Sequence, residues 1–236
     1  MKIIVARTAG VCMGVKRAIE MAQKAAAGEG RKVYTYGPLI HNPQELERLR
    51  GEGIEPLPEG PLPPRATVVI RAHGVTPEVQ ERLASAAQTL VDATCPKVAS
   101  IQEQIREYTR QGYSVVIAGD PDHPEVEGLV GCAGGAAFVV RSPEEIDALP
   151  GLGRVLLVSQ TTQDEEKYRA IRKKLVERFP EAEALDTICS STRKRQAEVR
   201  RMVGEVDAIV VIGGKNSANT RRLYEISREA GARAYY

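Results

Sequence analysis

Short runs of apolar and β-branched residues alternate along the chain with longer stretches that have helical spacing. The predicted strands lie at residues 2–6, 33–36, 67–71, 113–118, 154–158 and 207–212. Proline at a first-turn position, as at Pro43, Pro77 and Pro143, marks helix starts between the strands. This alternation predicts βαβ units and mostly parallel sheets, with loops that gather at one rim of each sheet.

Three cysteines, Cys12, Cys95 and Cys189, each come directly before a predicted helix, and a polar loop follows each at a nearly constant distance. Cys12 is 29 residues before His41, Cys95 is 28 before His123, and Cys189 is 28 before Ser217. A second polar loop follows in the first two repeats, with His73 in RAHG and with Gln160 and Thr161 in SQTT. The spacing indicates one unit used three times.

The predicted fold is α/β, with three lobes of mostly parallel sheet around a pseudo-threefold axis. The first lobe is expected at residues 13–95, the second at 96–189, and the third at 1–12 together with 190–236. The third is predicted to be incomplete, since the sequence stops before its second polar loop. All of these loops would face one central cavity, because ligands bind at the carboxyl ends of parallel strands. The alternative is coincidental spacing among ordinary βα units.

Composition narrows the classes of function. The net charge of +2 and the aromatic content of 4% do not suit a nucleic-acid-binding surface. No apolar run reaches the roughly 20 residues of a membrane-spanning helix, and the amino terminus lacks a secretory signal, so a cytoplasmic location is expected. In a reducing compartment, the four cysteines suit metal binding or catalysis better than disulfides.

The three repeated cysteines indicate a metal centre. Thiolates are ligands of iron–sulfur clusters and of zinc, and three protein ligands leave one coordination position open for chemistry. Ordinary burial of small side chains is the competing interpretation. Cys132 has no counterpart in the other repeats and is expected to lie outside the site.

The three histidines of the chain, His41, His73 and His123, all lie in Gly- or Pro-flanked loops after strands. Beside helix starts they would bind an anionic group, with Ser217 and Asn219 as neutral donors in the third repeat. These residues suit a diphosphate, although no Walker or dinucleotide-binding motif is present. Glu125 follows His123 by two residues and could carry protons, although position alone favours a first-turn helix carboxylate.

At these residues the chain resembles the hydroxymethylbutenyl diphosphate reductase family, also called IspH or LytB. The resemblance rests on the ordered motifs AGVCMGVKRAI, YGPLIHN, RAHGV, DATCP, HPEVEG, SQTT, TICSSTRKRQ and GGKNSANTRRL, which extend to about Leu223. It implies reduction of (E)-4-hydroxy-3-methylbut-2-enyl diphosphate to isopentenyl and dimethylallyl diphosphates. The cofactor implied is a 4Fe-4S cluster on Cys12, Cys95 and Cys189, with one iron open to the substrate hydroxyl.

The resemblance also implies roles for the polar residues. The diphosphate would be bound by five side chains: His41, His73, His123, Ser217 and Asn219. Glu125 would deliver the proton, Thr161 would help place the hydroxyl, and Gln160 would neighbour it in the pocket. Ala218 departs from the family, which commonly has serine there, and the family's later serine motif is not in this sequence.

An electron-donor protein such as ferredoxin or flavodoxin is implied as a partner. A basic run could attract an acidic donor; its members are Arg193, Lys194, Arg195, Arg200 and Arg201. Such a run is more often a solvated helix face. Two rival hypotheses remain open at this point. One is a non-catalytic iron–sulfur binding or sensing protein, and the other is a zinc hydrolase with Cys and His ligands.

Overall fold

The structure is a computed structural model, and it describes residues 2–27 and 32–236. Met1, with which the predicted third lobe begins, and residues 28–31 of the predicted first lobe lie outside the described residues. Over the described ranges, no helix combines the length and the apolar character that crossing a membrane requires.

The first lobe is a four-stranded sheet with helices on its faces. Its elements are α1 (Met13–Ala26), β1 (Val33–Tyr36), α2 (Pro43–Gly51), β2 (Ile54–Pro56), β3 (Thr67–Ile70), α3 (Pro77–Ala86) and β4 (Thr89–Asp92). The strand order is β2-β1-β3-β4, and every neighbouring pair is parallel. Parallel pairing requires crossover connections, which here are mostly helices.

The second lobe repeats this arrangement. Its elements are α4 (Pro96–Arg110), β5 (Ser114–Ala118), α5 (Pro124–Cys132), β6 (Ala137–Val140), a 3-10 helix (Pro143–Ala148), β7 (Val155–Ser159), α6 (Glu165–Arg178) and β8 (Glu183–Ala184). The order β6-β5-β7-β8, again fully parallel, matches that of the first lobe strand for strand. The internal repeat predicted from the cysteine spacing is therefore confirmed for these two lobes.

The third lobe contains the first half of the same unit. Its elements are α7 (Ser190–Val203), β9 (Ile209–Val210), α8 (Ala218–Glu229) and β10 (Ala234–Tyr235). The two strands are parallel and correspond to the β2-β1 pair of the first lobe. The predicted class, three α/β lobes with mostly parallel sheets, is confirmed, whereas the residue boundaries between lobes stay a prediction.

The central strands of the first two sheets are buried on both faces, which explains their continuous apolar runs in the sequence. All residues of β3 and of β7 are buried. In the first lobe, Ala18 and Ala22 of α1 pack on one face and Leu83 of α3 on the other. Parallel sheets covered by helices on both sides favour such strands over alternating ones.

Helix starts place polar loops at the carboxyl ends of the strands. Asn42 and Thr76 accept backbone N–H groups of Glu45 and Val79, and each is followed by a proline in the first turn. An N-cap side chain and a proline in the first turn together favour a helix start at this residue, so the preceding loop residues stay outside the helix. The loop before each helix therefore ends at a defined point on the rim of the sheet.

The predicted strand at residues 2–6 is wrong, since the structure has no strand there. Ile3 and Val5 are 77% and 75% exposed, and within the described residues β9 pairs only with β10. A β-branched run becomes a strand only beside a strand that can exchange hydrogen bonds with it. The segment that follows is instead fixed to α7, because the Glu198 carboxylate accepts the N–H groups of Arg7 and Thr8 at 2.8 Å.

Candidate active site

Each of the three repeated cysteines is the residue at which a helix begins. Cys12, Cys95 and Cys189 are the N-cap residues of α1, α4 and α7, all are half-buried, and all line one cavity of about 330 Å³. None of the three uses its side chain to cap its helix. Three thiols from three lobes are thus available to one ligand.

Two of the thiols lie close to Gly14. A Cβ atom at Gly14 would lie 2.7 Å from the Cys95 sulfur and 3.9 Å from the Cys12 sulfur, so a side chain there would displace the Cys95 sulfur. Burial raises the pKa of the Cys95 thiol, the backbone N–H groups of Lys97 and Val98 lower it, and the sulfurs of Cys12 and Cys189 raise it again. A metal that binds all three thiolates removes this repulsion, so the donor set fits an iron–sulfur cluster or zinc.

Cys132 is separate from this centre. It is the last residue of α5, it is 6% exposed, and Arg106 donates a hydrogen bond to its sulfur over 3.3 Å. It packs in the core of the second lobe and does not line the cavity. This is the position expected for a cysteine outside the repeat.

The three histidines form a compact cluster in the same cavity. The ring centroids are 4.9 Å apart for His41 and His73, 5.2 Å for His73 and His123, and 6.1 Å for His41 and His123. Burial is the largest cause of a lowered pKa in all three rings, and it lowers the pKa of His123 to about 4. The imidazoles are therefore neutral at neutral pH and act as hydrogen-bond donors or acceptors.

The start of α5 fixes the tautomer of His123. Its Nδ1 atom accepts the backbone N–H of Glu125 at 3.2 Å, so in the neutral ring Nε2 carries the proton. An N–H of this kind donates to an anion, whereas a metal ion at Nε2 would require the loss of that proton. Although nitrogen atoms of the three rings lie within 4.8 Å of one another, this contact favours an anion over a zinc ion at the cluster.

Two further imidazole nitrogens are suited to bind the same anion. His41 Nε2 and His73 Nδ1 are buried, and neither has a hydrogen-bond partner in the part of the chain that the structure describes. A buried polar atom without a partner destabilises the folded protein by on the order of 1 to 3 kcal/mol. Oxygen atoms of a ligand in the cavity would satisfy such nitrogens.

The third lobe closes over the histidines. Ser217 and Asn219 line the cavity, and the Ser217 hydroxyl also caps α8 by accepting the N–H of Thr220 at 3.3 Å. A Cβ atom at Gly214 would lie 2.0 Å from the carbonyl oxygen of His41, so only glycine permits this approach. Arg221 of α8 pairs with Asp120 of the second lobe over 2.9 Å.

Glu125 is bound tightly by the loop that carries Thr161. Its carboxylate oxygens accept the Thr161 N–H at 2.6 Å and the Thr161 hydroxyl at 2.7 Å, and the side chain is 2% exposed. Burial raises the pKa of Glu125, and the two bonds from Thr161 lower it in part. Both residues line the cavity, so a carboxyl group with a raised pKa adjoins a hydroxyl in the pocket.

Gln160, which the resemblance implies as a neighbour of Thr161 in the pocket, contacts the loops beside the cavity. It is buried but is not among the cavity-lining residues. Its Oε1 atom accepts the N–H of Asp120 at 3.0 Å, and its Nε2 atom donates to Thr162 at 2.8 Å. Gln160 thus supports two loops beside the pocket. Thr162, which was not singled out in the sequence, lines the cavity together with Thr161. Adjacency within SQTT was the only sequence signal for Thr162.

The basic run on α7 is partly neutralised by neighbours. Arg193 pairs with Glu165 and Asp186, and Arg200 pairs with Asp164 and Glu166. Arg201 pairs with Glu198 and Glu205, and Arg195 donates to the carbonyl oxygens of Thr8 and Gly10. Lys194, the fifth member, is exposed. Acidic neighbours therefore offset part of the charge of the run, and its part in attracting an acidic donor stays a prediction.

The fold and the site together define a three-lobed α/β protein whose lobes each contribute a thiol to one centre. The LytB protein family matches residues 3–236. The chain therefore belongs to the LytB family.

Two curated relatives are 4-hydroxy-3-methylbut-2-enyl diphosphate reductases. The protein of Aquifex aeolicus is 42% identical over 99% of this chain and 82% of its own length. That of Geobacter sulfurreducens is 44% identical over all of this chain and 83% of its own length. These relatives are enzymes, which favours the reductase hypothesis over a binding or sensing protein and over a zinc hydrolase.

Two solved structures share the fold. The E-1-hydroxy-2-methyl-but-2-enyl-4-diphosphate reductase of Plasmodium falciparum has a TM-score of 0.91 at 26% identity and covers 96% of this chain and 73% of its own. An (E)-4-hydroxy-3-methyl-but-2-enyl diphosphate reductase, described as the terminal enzyme of the non-mevalonate pathway, has a TM-score of 0.76 at 42% identity. It covers 99% of this chain and 84% of its own.

The thiol centre makes a direct prediction about bound iron. Replacing Cys12, Cys95 or Cys189 by serine is expected to remove most of the bound iron and the visible absorbance of anaerobically purified protein, because a hydroxyl is a harder and weaker ligand than a thiolate. Cys132→Ser is the matched control and should keep both. Equal loss of iron in all four variants would contradict the assignment.

The contact at Gly214 predicts an effect on ligand binding. Gly214→Ala places a methyl group against the His41 carbonyl and should hold the third lobe away, which weakens the binding of inorganic pyrophosphate by about tenfold, or about 1.4 kcal/mol. Titration calorimetry measures the change. Gly204→Ala is the control in the same lobe, since a Cβ atom there has no neighbour within 4 Å. Unchanged affinity in Gly214→Ala would refute the role given to this contact.

Proposed function

We propose that this chain reduces (E)-4-hydroxy-3-methylbut-2-enyl diphosphate to isopentenyl and dimethylallyl diphosphates. The observation that carries the proposal is that three thiols, three imidazoles and a buried carboxyl group line one cavity. These groups suit the three demands of the reaction, which are electrons, an anchor for the diphosphate and a proton. The relatives named above carry the same activity in their names.

The proposed cofactor is a 4Fe-4S cluster on Cys12, Cys95 and Cys189. The shared cavity of the three thiols and the closeness of Cys95 and Cys12 at Gly14 support a shared ligand, and three protein ligands would leave one iron without a protein ligand. When bound, such a cluster supplies electrons and a Lewis-acidic site for the substrate hydroxyl.

The diphosphate is proposed to bind at His41, His73 and His123, with Ser217 and Asn219 on the opposite side. His123 supports this role because its Nε2–H donates without a change of protonation state. Ser217 and Asn219 come from the third lobe and lie next to the close contact at Gly214, so binding of the anion would hold two lobes together. The substrate then spans from the histidines to the thiols.

Glu125 is proposed to supply the proton, with Thr161 between it and the substrate hydroxyl. Replacement of the hydroxyl by hydrogen consumes two electrons and two protons and releases one water. One proton leaves with the hydroxyl oxygen, and the other forms the new C–H bond. The raised pKa of Glu125 keeps the acid form available at higher pH than an ordinary carboxyl, and the Thr161 hydroxyl, which contacts Glu125 at 2.7 Å, connects it with the cavity. Gln160 is proposed to keep Thr162 and the Asp120 loop in position.

The proposed electron donor is a small acidic protein of the ferredoxin or flavodoxin class that docks at Cys12. The neighbours of Cys12 are exposed apolar side chains, Val11 at 56% and Met13 at 78%. Lys16 lies one turn further along α1, 3.7 Å from Glu20, with 63% of its side chain exposed. Exposed apolar side chains beside a basic one suit a transient partner of opposite charge, and electrons would enter through Cys12.

Turnover tests the proton donor. Wild-type protein with a full complement of iron should convert the diphosphate to both products when supplied with a reduced viologen dye, measured by mass spectrometry. Glu125→Gln should retain iron and substrate affinity but lose roughly two orders of magnitude in kcat, as removal of a general acid commonly does. Glu103→Gln, on the surface of α4, is the control. A wild-type protein without turnover would refute the proposed reaction, and near-normal kcat in Glu125→Gln would move the proton donor elsewhere.

A pair of electron donors tests the docking surface. Met13→Glu should slow turnover with reduced flavodoxin about tenfold, because it puts a negative charge in the contact, and should leave turnover with the small dye unchanged. Val176→Glu, an exposed apolar position on α6, is the control. Equal slowing with both donors would indicate damage to the thiol centre and would contradict docking at Cys12.

A further inference from the structure

Arg71 lies directly behind the histidine cluster without touching the cavity. It follows β3 and precedes His73 by two residues, and its side chain is half-buried. Its guanidinium packs against Gly37, where a Cβ atom would lie 2.5 Å from Nη1. Gly37 has a φ of 71°, in the left-handed region, and is part of the loop that leads to His41. Arg71 therefore contacts the loop that leads to His41 and lies two residues before His73 in its own loop.

The charge of Arg71 is poorly compensated. In residues 2–27 and 32–236, no carboxylate lies within 4.0 Å of it, and its buried Nε atom has no hydrogen-bond partner. The nearest opposing influence is the charge of Glu127, an exposed residue of α5, which partly offsets the effect of burial on the pKa of Arg71. A partly buried cation without an acidic partner costs the fold some stability, so its presence next to a ligand cavity points to a role in binding.

The positive charge of Arg71 affects the pKa of all three histidines. After burial and the neighbouring rings, its positive charge is among the causes that lower the pKa of His41, His73 and His123. The guanidinium itself stays charged, since its pKa is far above neutral even when burial lowers it. The cluster therefore combines uncharged donors at the cavity wall with a permanent positive charge behind them.

Other cations near the cavity are paired, donate to carbonyl oxygens or lie on its thiol side. Arg221 is paired with Asp120. Arg195 donates to carbonyl oxygens of the loop that leads to Cys12, and Lys97 lies two residues after Cys95, on the thiol side of the cavity. Among these basic residues, Arg71 alone is both unpaired in the described structure and located at the histidines.

We propose that Arg71 is a positioning residue that supplies the fixed positive charge against which the diphosphate binds at the three histidines. The inference rests on the proposed function, because it takes the diphosphate to lie at that cluster. Arg71 acts through the imidazoles and through the potential of the pocket, whereas the imidazoles make the contacts. A charge at this place stabilises the bound anion in every step of the reaction alike and should affect affinity more than the chemical step.

Binding of inorganic pyrophosphate to the iron-loaded protein tests the proposal by titration calorimetry. Arg71→Gln keeps a polar side chain but removes the charge and should weaken binding by about tenfold to a hundredfold. Arg71→Lys keeps the charge and should restore affinity to within roughly threefold of wild type. Arg106→Gln, at another partly buried arginine, is the control and should bind as wild type. In turnover with the dye, Arg71→Gln should raise KM for the diphosphate and leave kcat within about threefold.

The outcomes separate this inference from the function on which it rests. Wild-type affinity in Arg71→Gln would overturn the role of Arg71 while leaving the proposed reaction intact. Equal losses in Arg71→Gln and Arg71→Lys would also overturn it, because packing rather than charge would then be responsible. A wild-type protein that turns over substrate but binds no pyrophosphate would refute the diphosphate site and this inference together. Iron content and thermal unfolding of each variant identify misfolded protein, for which Arg71→Lys provides the second test.

Discussion

Three helices begin at cysteines, and the amino-terminal ends of these helices open into one cavity. An N-cap residue sits where backbone N–H groups are free of intrahelical partners, and these groups favour a thiolate there. Burial opposes this effect, as the raised pKa of Cys95 indicates. Because burial disfavours a free thiolate, a metal centre that binds the sulfurs would stabilise their thiolate form. The orientation of the lobes follows from this constraint, since each lobe must direct the start of one helix to the same point.

Glycines allow the lobes to approach closely enough for this convergence. Gly14 leaves room for the sulfurs of Cys95 and Cys12, Gly214 admits the carbonyl oxygen of His41, and Gly37 admits the guanidinium of Arg71. At each place a side chain would meet another lobe or a buried charge. Close packing tolerates no such addition without displacement of a backbone, so these positions relate the geometry of the cavity directly to the sequence.

The start of α5 connects the proposed anion site with the proposed proton donor. His123 accepts the N–H of Glu125, and the Glu125 carboxylate accepts both donors of Thr161. The same short segment therefore fixes the tautomer of an imidazole that lines the cavity and the position of a buried acid. Because these hydrogen bonds are buried, a shift of the helix start would disturb both groups together. This coupling explains why the motif HPEVEG contributes more than one functional group.

Much of this arrangement follows from the sequence alone. The spacing of Cys12, Cys95 and Cys189 from the polar loops predicted a repeated α/β unit, because a chain of equal repeats places equivalent loops at equivalent positions. The tertiary structure decided the properties that depend on neighbours distant in sequence. Residues 2–6 have the composition of a strand but no adjacent strand, and the arginines of α7 have part of their charge offset by acids from α6 and elsewhere. Gln160 makes its hydrogen bonds to Asp120 and Thr162, and neither Gln160 nor Arg71 lines the cavity. Residue type and spacing determine which groups a loop can offer, whereas burial, pairing and direction are set only when separate lobes pack together.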